Sequence, residues 1–373
     1  MTIIAPSRAL IDRTAYAHNL AQVRRLLPRD CLLAPVVKAN AYGHGAVPLA
    51  RTAVAEGAAL LGVATVPEGI ELREAGITAP ILVLVQPDEA AIESAVRHNL
   101  ELTVSSLSFA QAVSGISKRL DSTTPVHCKI DTGMGRQGIA SEQAVDSVLQ
   151  MKQLAGLQFA GVATHFPVAD VPEDPQTNDQ VCRFAEIVAV LRDTVGDIGH
   201  VHAASSGAIV YYPGSAFTMV RPGLMTYGVW GGERLPSYVK LRPVLRWETT
   251  VVLVKDLPVG ATIGYNRTYT VPSRQRVALL PVGYADGYKF RLANHAEVLI
   301  RGVRRPVRGR ISMDQIVVDI SRPPEVRPGD AAVLIGADGD DAITVEELAR
   351  LAETIPYDIL TGIGNRVERV YVR

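Results

Sequence analysis

Along the first two-thirds of the chain, two hydrophobic rhythms take turns. Short apolar runs recur at 31–37, 60–64, 81–85, 100–104, 126–130, 159–164, 200–204 and 218–221; the segments between them carry apolar residues three and four apart. Runs that are apolar on both faces and bounded by turn residues read as strands of a parallel sheet. The intervening segments, such as 88–98 (DEAAIESAVRH), 141–154 (SEQAVDSVLQMKQL) and 178–195, read as helices, with Asp88 and Ser141 where N-caps belong. A further helix at 13–26 precedes the first strand. Eight strand–helix units in roughly 220 residues predict a (β/α)8 barrel. A doubly wound open sheet is the competing arrangement, and it does not require eight units.

After Leu235 and Pro236 the rhythm changes. Short β-rich runs at 244–254, 276–280, 297–300, 315–320 and 331–335 are separated by Gly and Pro turns, with one helix at 344–353 capped by Thr344. The chain therefore divides into a barrel at 8–235 and a mainly β domain at 236–373, against which residues 1–7 can pack. Charge adds little, since 38 basic and 38 acidic residues cancel and no field favours nucleic acid or an anionic membrane. No apolar run approaches the roughly 20 residues that span a bilayer. The start MTIIAPSRAL lacks a basic stretch followed by an apolar core, so no signal peptide is expected. Cys31, Cys128 and Cys182 have no metal-ligand spacing and read as small buried hydrophobes in a reducing cytoplasm. No metal site is expected.

Candidate chemistry collects where strands end. Barrels of this kind build their active sites from loops at the carboxyl ends of the strands. In VVKANAYGHG an apolar run delivers Lys38 to that rim, a charge that is costly to bury unless paired, neutralised or carried to water. Lys129 and Arg136 follow at the fifth run, His165 at the sixth, Ser205 and Ser206 at the seventh, and Arg221 and Gly223 at the eighth. Alternation in the fifth run puts His127, Lys129 and Asp131 on one face, with Cys128 and Ile130 on the other. A lone strand-end Lys, His or Arg is usually a satisfied structural group; several at one rim make a site. Loops after the seventh and eighth strands often hold phosphate, and Ser205, Ser206 and Gly207 with Arg221, Pro222 and Gly223 offer hydroxyls and glycine backbone to an anion. A lysine facing a phosphate site points to pyridoxal 5'-phosphate, joined to the Lys38 amine as a Schiff base.

The motifs VVKANAYGHG, KIDTGMGRQG, THFPVAD, HAASSG, VRPGLMTYG, IGYNRTY, PVGYADGY and GRISMDQ, in this order and spacing, together resemble alanine racemase, a fold-type III pyridoxal phosphate family. The resemblance implies interconversion of L- and D-alanine for bacterial peptidoglycan by two bases, Lys38 on one face of the substrate and Tyr265 on the other. It implies that Lys38, Tyr42, His165, His202, Ser206, Arg221, Gly223, Leu224 and Tyr357 surround the cofactor. Arg136 and Met313 would meet the substrate carboxylate, and Tyr284, Arg310 and Asp170 would line the entrance. Arg221 would contact the pyridine nitrogen, with His202 positioning it. A guanidinium only donates hydrogen bonds and stays protonated, so it disfavours a protonated ring and weakens electron withdrawal. The resemblance further implies a carbamylated Lys129 holding Arg136. It also implies a homodimer with shared sites, in which the β domain of one chain covers the barrel mouth of the other.

Two positions depart from the family's pattern: Pro167 stands where a small residue is common, and Asn266 where glycine is. A racemase of serine or of broader range stays open. So does a non-catalytic pyridoxal phosphate carrier, although that family lacks the second domain with Tyr265 and Met313. Arg221 argues against a decarboxylase, which would pair the ring nitrogen with an acid. Three local patterns are set aside. The GMGRQG stretch at 133–138 matches GxGxxG without a dinucleotide unit around it, RGVRRPVRGR is basic within a neutral chain, and 338–341 lacks calcium-loop spacing.

Overall fold

The computed structural model describes residues 6–373, so the placement expected for the first five residues lies outside it. The first strand, β1 (Ser7–Asp12), pairs antiparallel with Leu245–Thr250 and parallel with Glu368–Val372. Residues 8–12, expected with the barrel, therefore belong to the sheet of the second domain. The reason is local: Ala9 and Ile11 are buried against that sheet, while Asp12 ends the strand and accepts from Thr14 and Ala15 N–H at 2.8 and 2.9 Å, capping the helix Arg13–Arg25.

All eight predicted runs yield parallel strands. They are β2 (Leu32–Leu33), β3 (Leu61–Val63), β4 (Ile81–Val83), β5 (Glu101–Val104), β6 (Thr124–Asp131), β7 (Leu157–Ala163), β8 (His200–His202) and β9 (Met219–Val220). Their spatial order is β2-β9-β8-β7-β6-β5-β4-β3. The two edges meet where Ala59 and Val37 N–H donate to Leu33 and Gly62 carbonyls and Gly62 N–H donates to Pro35, at 2.8–2.9 Å. The sheet thus closes on itself. Strands such as β3 and β4 are buried throughout, which is why their sequences run continuously apolar instead of alternating.

The helices follow the pattern with shifted starts. Asp174 caps Pro175–Val195, accepting from Thr177 N–H at 2.7 Å, so this helix begins three residues before the apolar periodicity does. Asp88 accepts from Ala90 N–H at 2.9 Å, as a cap should, although a 3-10 turn (Glu89–Ala91) precedes the helix Ile92–Arg97. Ser141 is not a cap. Its hydroxyl donates to the Asp131 carbonyl at 2.9 Å, and the helix Ala144–Lys152 starts after a 3-10 turn. Among the described residues no helix is long and apolar enough to cross a membrane.

In the second domain the strand order is Leu253–Leu257, Gln275–Leu280, Ile316–Asp319, Val303–Arg308, Glu297–Ile300, Ala331–Asp338, Leu245–Thr250, β1 and Glu368–Val372. The basic run RGVRRPVRGR contains one of these strands. Arg305 is buried and donates to the Pro324 carbonyl at 3.0 Å, while Arg304 pairs with Asp341 (2.8 Å) and Glu347 (2.6 Å), so these two side chains are committed within the domain. Residues 338–341 turn a hairpin into Asp341–Ile343. Thr344 caps the helix Val345–Leu351. Of the three cysteines Cys128 is buried and Cys31 partly so, but Cys182 is exposed on its helix, contrary to the expectation.

This domain braces the barrel rim. Arg369 donates to the Gly43 carbonyl at 3.1 Å. A Cβ at Gly43 would lie 2.3 Å from the Leu360 carbonyl oxygen, so the Lys38 loop can approach this close only through glycine.

Candidate active site

Beyond Val37 the chain makes an uncommon turn. Ala39, Asn40, Ala41 and Tyr42 all have left-handed backbone, with φ of 50, 53, 51 and 52°. An L-residue pays about 1–2 kcal/mol for that conformation, so four in succession must be held from outside. Glu68 does part of this, accepting from Ala39 N–H at 2.8 Å; Asn40 Oδ1 accepts from Ala46 N–H at 2.7 Å, and Ala41 and Gly43 N–H donate to Val37 and Ala39 carbonyls at 2.8 and 2.9 Å. The turn leaves Lys38 half-buried at the rim and turns the Tyr42 ring inward, 4.8 Å from Tyr227 and 5.9 Å from Tyr357 between centroids.

Cations gather around that lysine. Burial, then Arg136, push the Lys38 amine below its ordinary pKa, against an opposing pull from Glu68. Lys129 is buried, and that burial with Arg221 and Arg136 holds its amine well below the usual lysine range. His165 is likewise held well below, by burial and then by Lys129, Arg221, Arg136 and Lys38. Asp131 does not neutralise them. Its carboxylate accepts from Gly133, Met134 and Gly135 N–H at 2.8–3.2 Å, which outweighs its own burial and keeps it ionised while it shapes the loop that carries Arg136.

Arg221 is buried, and its pKa falls to about 10 for that reason. It donates through Nη2 to the Thr164 and Ala203 carbonyls at 2.8 and 3.0 Å, and through Nη1 to His202 Nδ1. A guanidinium has five N–H groups, so two remain without a protein partner among the described residues. On the neighbouring loop Ser206 Oγ accepts from Gly223 and Met225 N–H at 3.0 and 3.3 Å. A Cβ at Gly223 would lie 2.5 Å from the Tyr42 hydroxyl, which has no protein partner of its own among the described residues. The helix Ser206–Tyr211 begins beside it without a side-chain cap. Unspent N–H groups, two hydroxyls and a glycine cleared for one of them make an anion cradle. These residues suit a phosphate at one end and a ring-nitrogen acceptor at Arg221.

The remaining candidates stand apart. Tyr265 is 69% exposed and Met313 52%, and Tyr284 and Phe290 beside them are exposed aromatics. Arg310 lies over the Phe290 ring at 5.5 Å. Among the described residues no hydrogen bond, ion pair or ring contact joins Tyr265, Met313, Tyr284 or Arg310 to the barrel rim. Asn266 sits at φ 58°, a left-handed seat that explains why glycine suits this place and asparagine is tolerated. Asp170 is exposed and adds to the burial that raises the Tyr357 phenol pKa. Glu101 and His127 also reach this region from below. In the sequence His127 is marked only by sharing a face with Lys129, and Glu101 is a lone acid within the apolar run 100–104.

Family models for the alanine racemase N-terminal domain and the alanine racemase C-terminal domain match residues 11–230 and 244–371. The chain belongs to the alanine racemase family. It is 39% identical over 369 residues to the alanine racemase of Halothermothrix orenii, covering 99% of this chain and 97% of that one. The solved Bacillus anthracis alanine racemase, with bound L-Ala-P, superposes over 100% of this chain and 96% of its own at a TM-score of 0.93 and 34% identity. The Bartonella henselae alanine racemase, with covalently bound pyridoxal phosphate, superposes over 99% and 100% at a TM-score of 0.89 and 26% identity. Barrel, β domain and family agree with the motifs.

Proposed function

We propose that this chain interconverts L- and D-alanine with pyridoxal 5'-phosphate as cofactor, using Lys38 and Tyr265 as its two bases, and so supplies D-alanine for peptidoglycan. The observation that carries the reading is the shared rim of Lys38, an anion cradle at Tyr42, Ser206 and Gly223, and a buried Arg221 with unspent N–H groups. Bound there, pyridoxal phosphate supplies the electron-withdrawing ring that acidifies the α-hydrogen of an amino acid joined to it. Lys38 holds the cofactor through Nζ, and its lowered pKa leaves more of the amine free to attack and to take a proton near neutral pH. With the cofactor in place, Arg221 would donate to the ring nitrogen and, as a guanidinium, could not accept from it, which would limit electron withdrawal and favour return of the proton over other outcomes. Arg136 and the Met313 backbone bind the substrate carboxylate.

Inversion requires a second base on the far face, and Tyr265 is exposed on its own chain. A homodimer resolves this: the β domain of one chain meets the barrel of the other head to tail, and both sites complete each other across a two-fold axis. Tyr284, Arg310 and Asp170 then form the entrance, and the closed mouth excludes water.

Three measurements test the reading. Circular-dichroism turnover of alanine, serine and larger L-amino acids should be fastest with alanine; faster serine turnover would replace the substrate. Borohydride reduction and peptide mapping should place the cofactor on Lys38, and any other lysine refutes the assignment. Inactive Lys38→Ala chains mixed with inactive Tyr265→Phe chains should recover activity after subunit exchange. No recovery despite demonstrated exchange would show that both bases come from one chain.

A further inference from the structure

We propose that Glu101 and His127 are positioning residues for Arg221, acting through a hydrogen-bond chain of fixed direction that crosses the barrel core; the inference rests on the reading of the rim given above. Arg221 Nη1 bonds His202 Nδ1. His202 Nε2 lies 2.9 Å from His127 Nδ1, and His127 Nε2 lies 2.8 Å from Glu101 Oε2. Arg221, His202 and His127 are buried, and the Glu101 side chain is 15% exposed. Arg221 directly follows β9 at the carboxyl rim, whereas Glu101 is the first residue of β5, so the chain runs from the rim to the floor of the barrel.

The ends dictate the direction. A guanidinium can only donate, so His202 Nδ1 must accept. A neutral imidazole has one N–H, which in His202 is then on Nε2 and points at His127 Nδ1. His127 must accept there and donate from Nε2 to Glu101, whose carboxylate can only accept. Donor-only and acceptor-only ends demand the same arrangement, with the proton on Nε2 of both rings. His202 is kept neutral by burial and by Arg221, its pKa well below the usual value. A chain ending on arginine cannot pass a proton along, which makes this a device for orientation and not for conduction.

The backbone is built to admit it. Val126 pairs with Phe159 but His127 with Gly161, a register slip of a kind that is rare between parallel strands and that re-aims a side chain. A Cβ at Gly161 would lie 2.7 Å from His127 Nδ1 and 2.4 Å from the His200 carbonyl oxygen. Were either ring to carry its proton on Nδ1, two donors would face each other somewhere in the chain. Arg221 would swing, and its unspent N–H groups would leave the ring nitrogen they serve.

The test uses holoenzyme with 15N-labelled histidine. Long-range 1H–15N spectra of wild type should show His127 and His202 neutral with the proton on Nε2. Glu101→Gln keeps the size but can donate as well as accept, so it should add Nδ1-protonated signals and shift the cofactor absorption band. It should also lower kcat about tenfold, equivalent to about 1.4 kcal/mol, with little change in KM for alanine. Wild type with either ring protonated on Nδ1 or on both nitrogens overturns the proposal, whether or not Glu101→Gln folds. So does a folded Glu101→Gln enzyme with wild-type tautomers, band and kcat. Wild-type holoenzyme without racemase turnover would instead overturn the proposed function, and its tautomers would still be readable.

Discussion

Glycine in place of Ala39 is expected to raise stability by about 0.5–1 kcal/mol, from two opposed terms of known size. Ala39 is exposed and held at φ 50°, ψ 51°, so its methyl contributes strain and almost no burial. Removing the left-handed penalty gains about 1–2 kcal/mol, while the freer unfolded glycine costs about 0.5–1 kcal/mol. Ala41 is the control. It has the same backbone, φ 51° and ψ 52°, but its methyl is fully buried. Ala41→Gly therefore obtains the same relief and forfeits about 0.8 kcal/mol of methyl burial, which brings it close to neutral. Urea denaturation followed by fluorescence of the buried Trp230 and Trp247 would read both variants. If they lose stability equally, the turn is not strained and the account of it is wrong. Because the same turn aims Lys38, kcat of Ala39→Gly should fall even as the fold gains.

Acid stability should depend on His44, whose Nδ1 donates to the Ala41 and Tyr42 carbonyls at 3.0 Å and whose burial lowers its pKa to about 4. Between that value and about 6.5 the unfolded chain holds a proton that the folded one does not, so stability falls as pH drops through the window, by about 1.4 kcal/mol per pH unit for this group. The slope of denaturation midpoint against pH should flatten in His44→Gln, and an unchanged slope would clear His44 of the effect. Gly223→Ala puts a methyl 2.5 Å from the Tyr42 hydroxyl, and overpacking of about 1–3 kcal/mol should weaken cofactor retention in equilibrium dialysis. Retention equal to wild type would mean the cradle lies elsewhere. Burial, Arg221 and Arg136 push the Lys129 amine well below the usual lysine range, which favours addition of carbon dioxide; the resulting anion would hold Arg136. Native mass spectrometry should find the added carboxyl group, and a plain amine with full activity in CO2-free buffer would refute it.

Much of this molecule is legible from hydrophobic rhythm because each barrel strand is a short run buried on both faces, and the helices between them keep one apolar stripe. Legibility fails where a residue's partner is remote or its backbone is unusual. Ser141 looks like a cap, but its hydroxyl is claimed by the Asp131 carbonyl. Val303–Arg308 is hidden as a strand by arginines whose acids lie in other elements. The left-handed turn after Lys38 has no signature, since alanine, asparagine and tyrosine are ordinary residues and the restraint comes from Glu68 and the second domain. The rim residues Lys38, Arg136, His165, Ser206 and Arg221 could be read from their places at strand ends. Glu101 could not, because its role depends on two imidazoles from other strands.

The pairing of β1 with Leu245–Thr250 and Glu368–Val372 has a consequence for biosynthesis. β1 is made before the barrel strands, yet neither of its neighbours exists until the entire barrel has been translated. A nascent barrel can close while its leading segment still has both edges bare, a state open to mispairing with another polysome-bound copy. Glu368–Val372 is the latch that ends this exposure. Shortening that strand should therefore lower the yield of folded protein in cells more than the loss of its five-residue ladder with β1 alone would suggest.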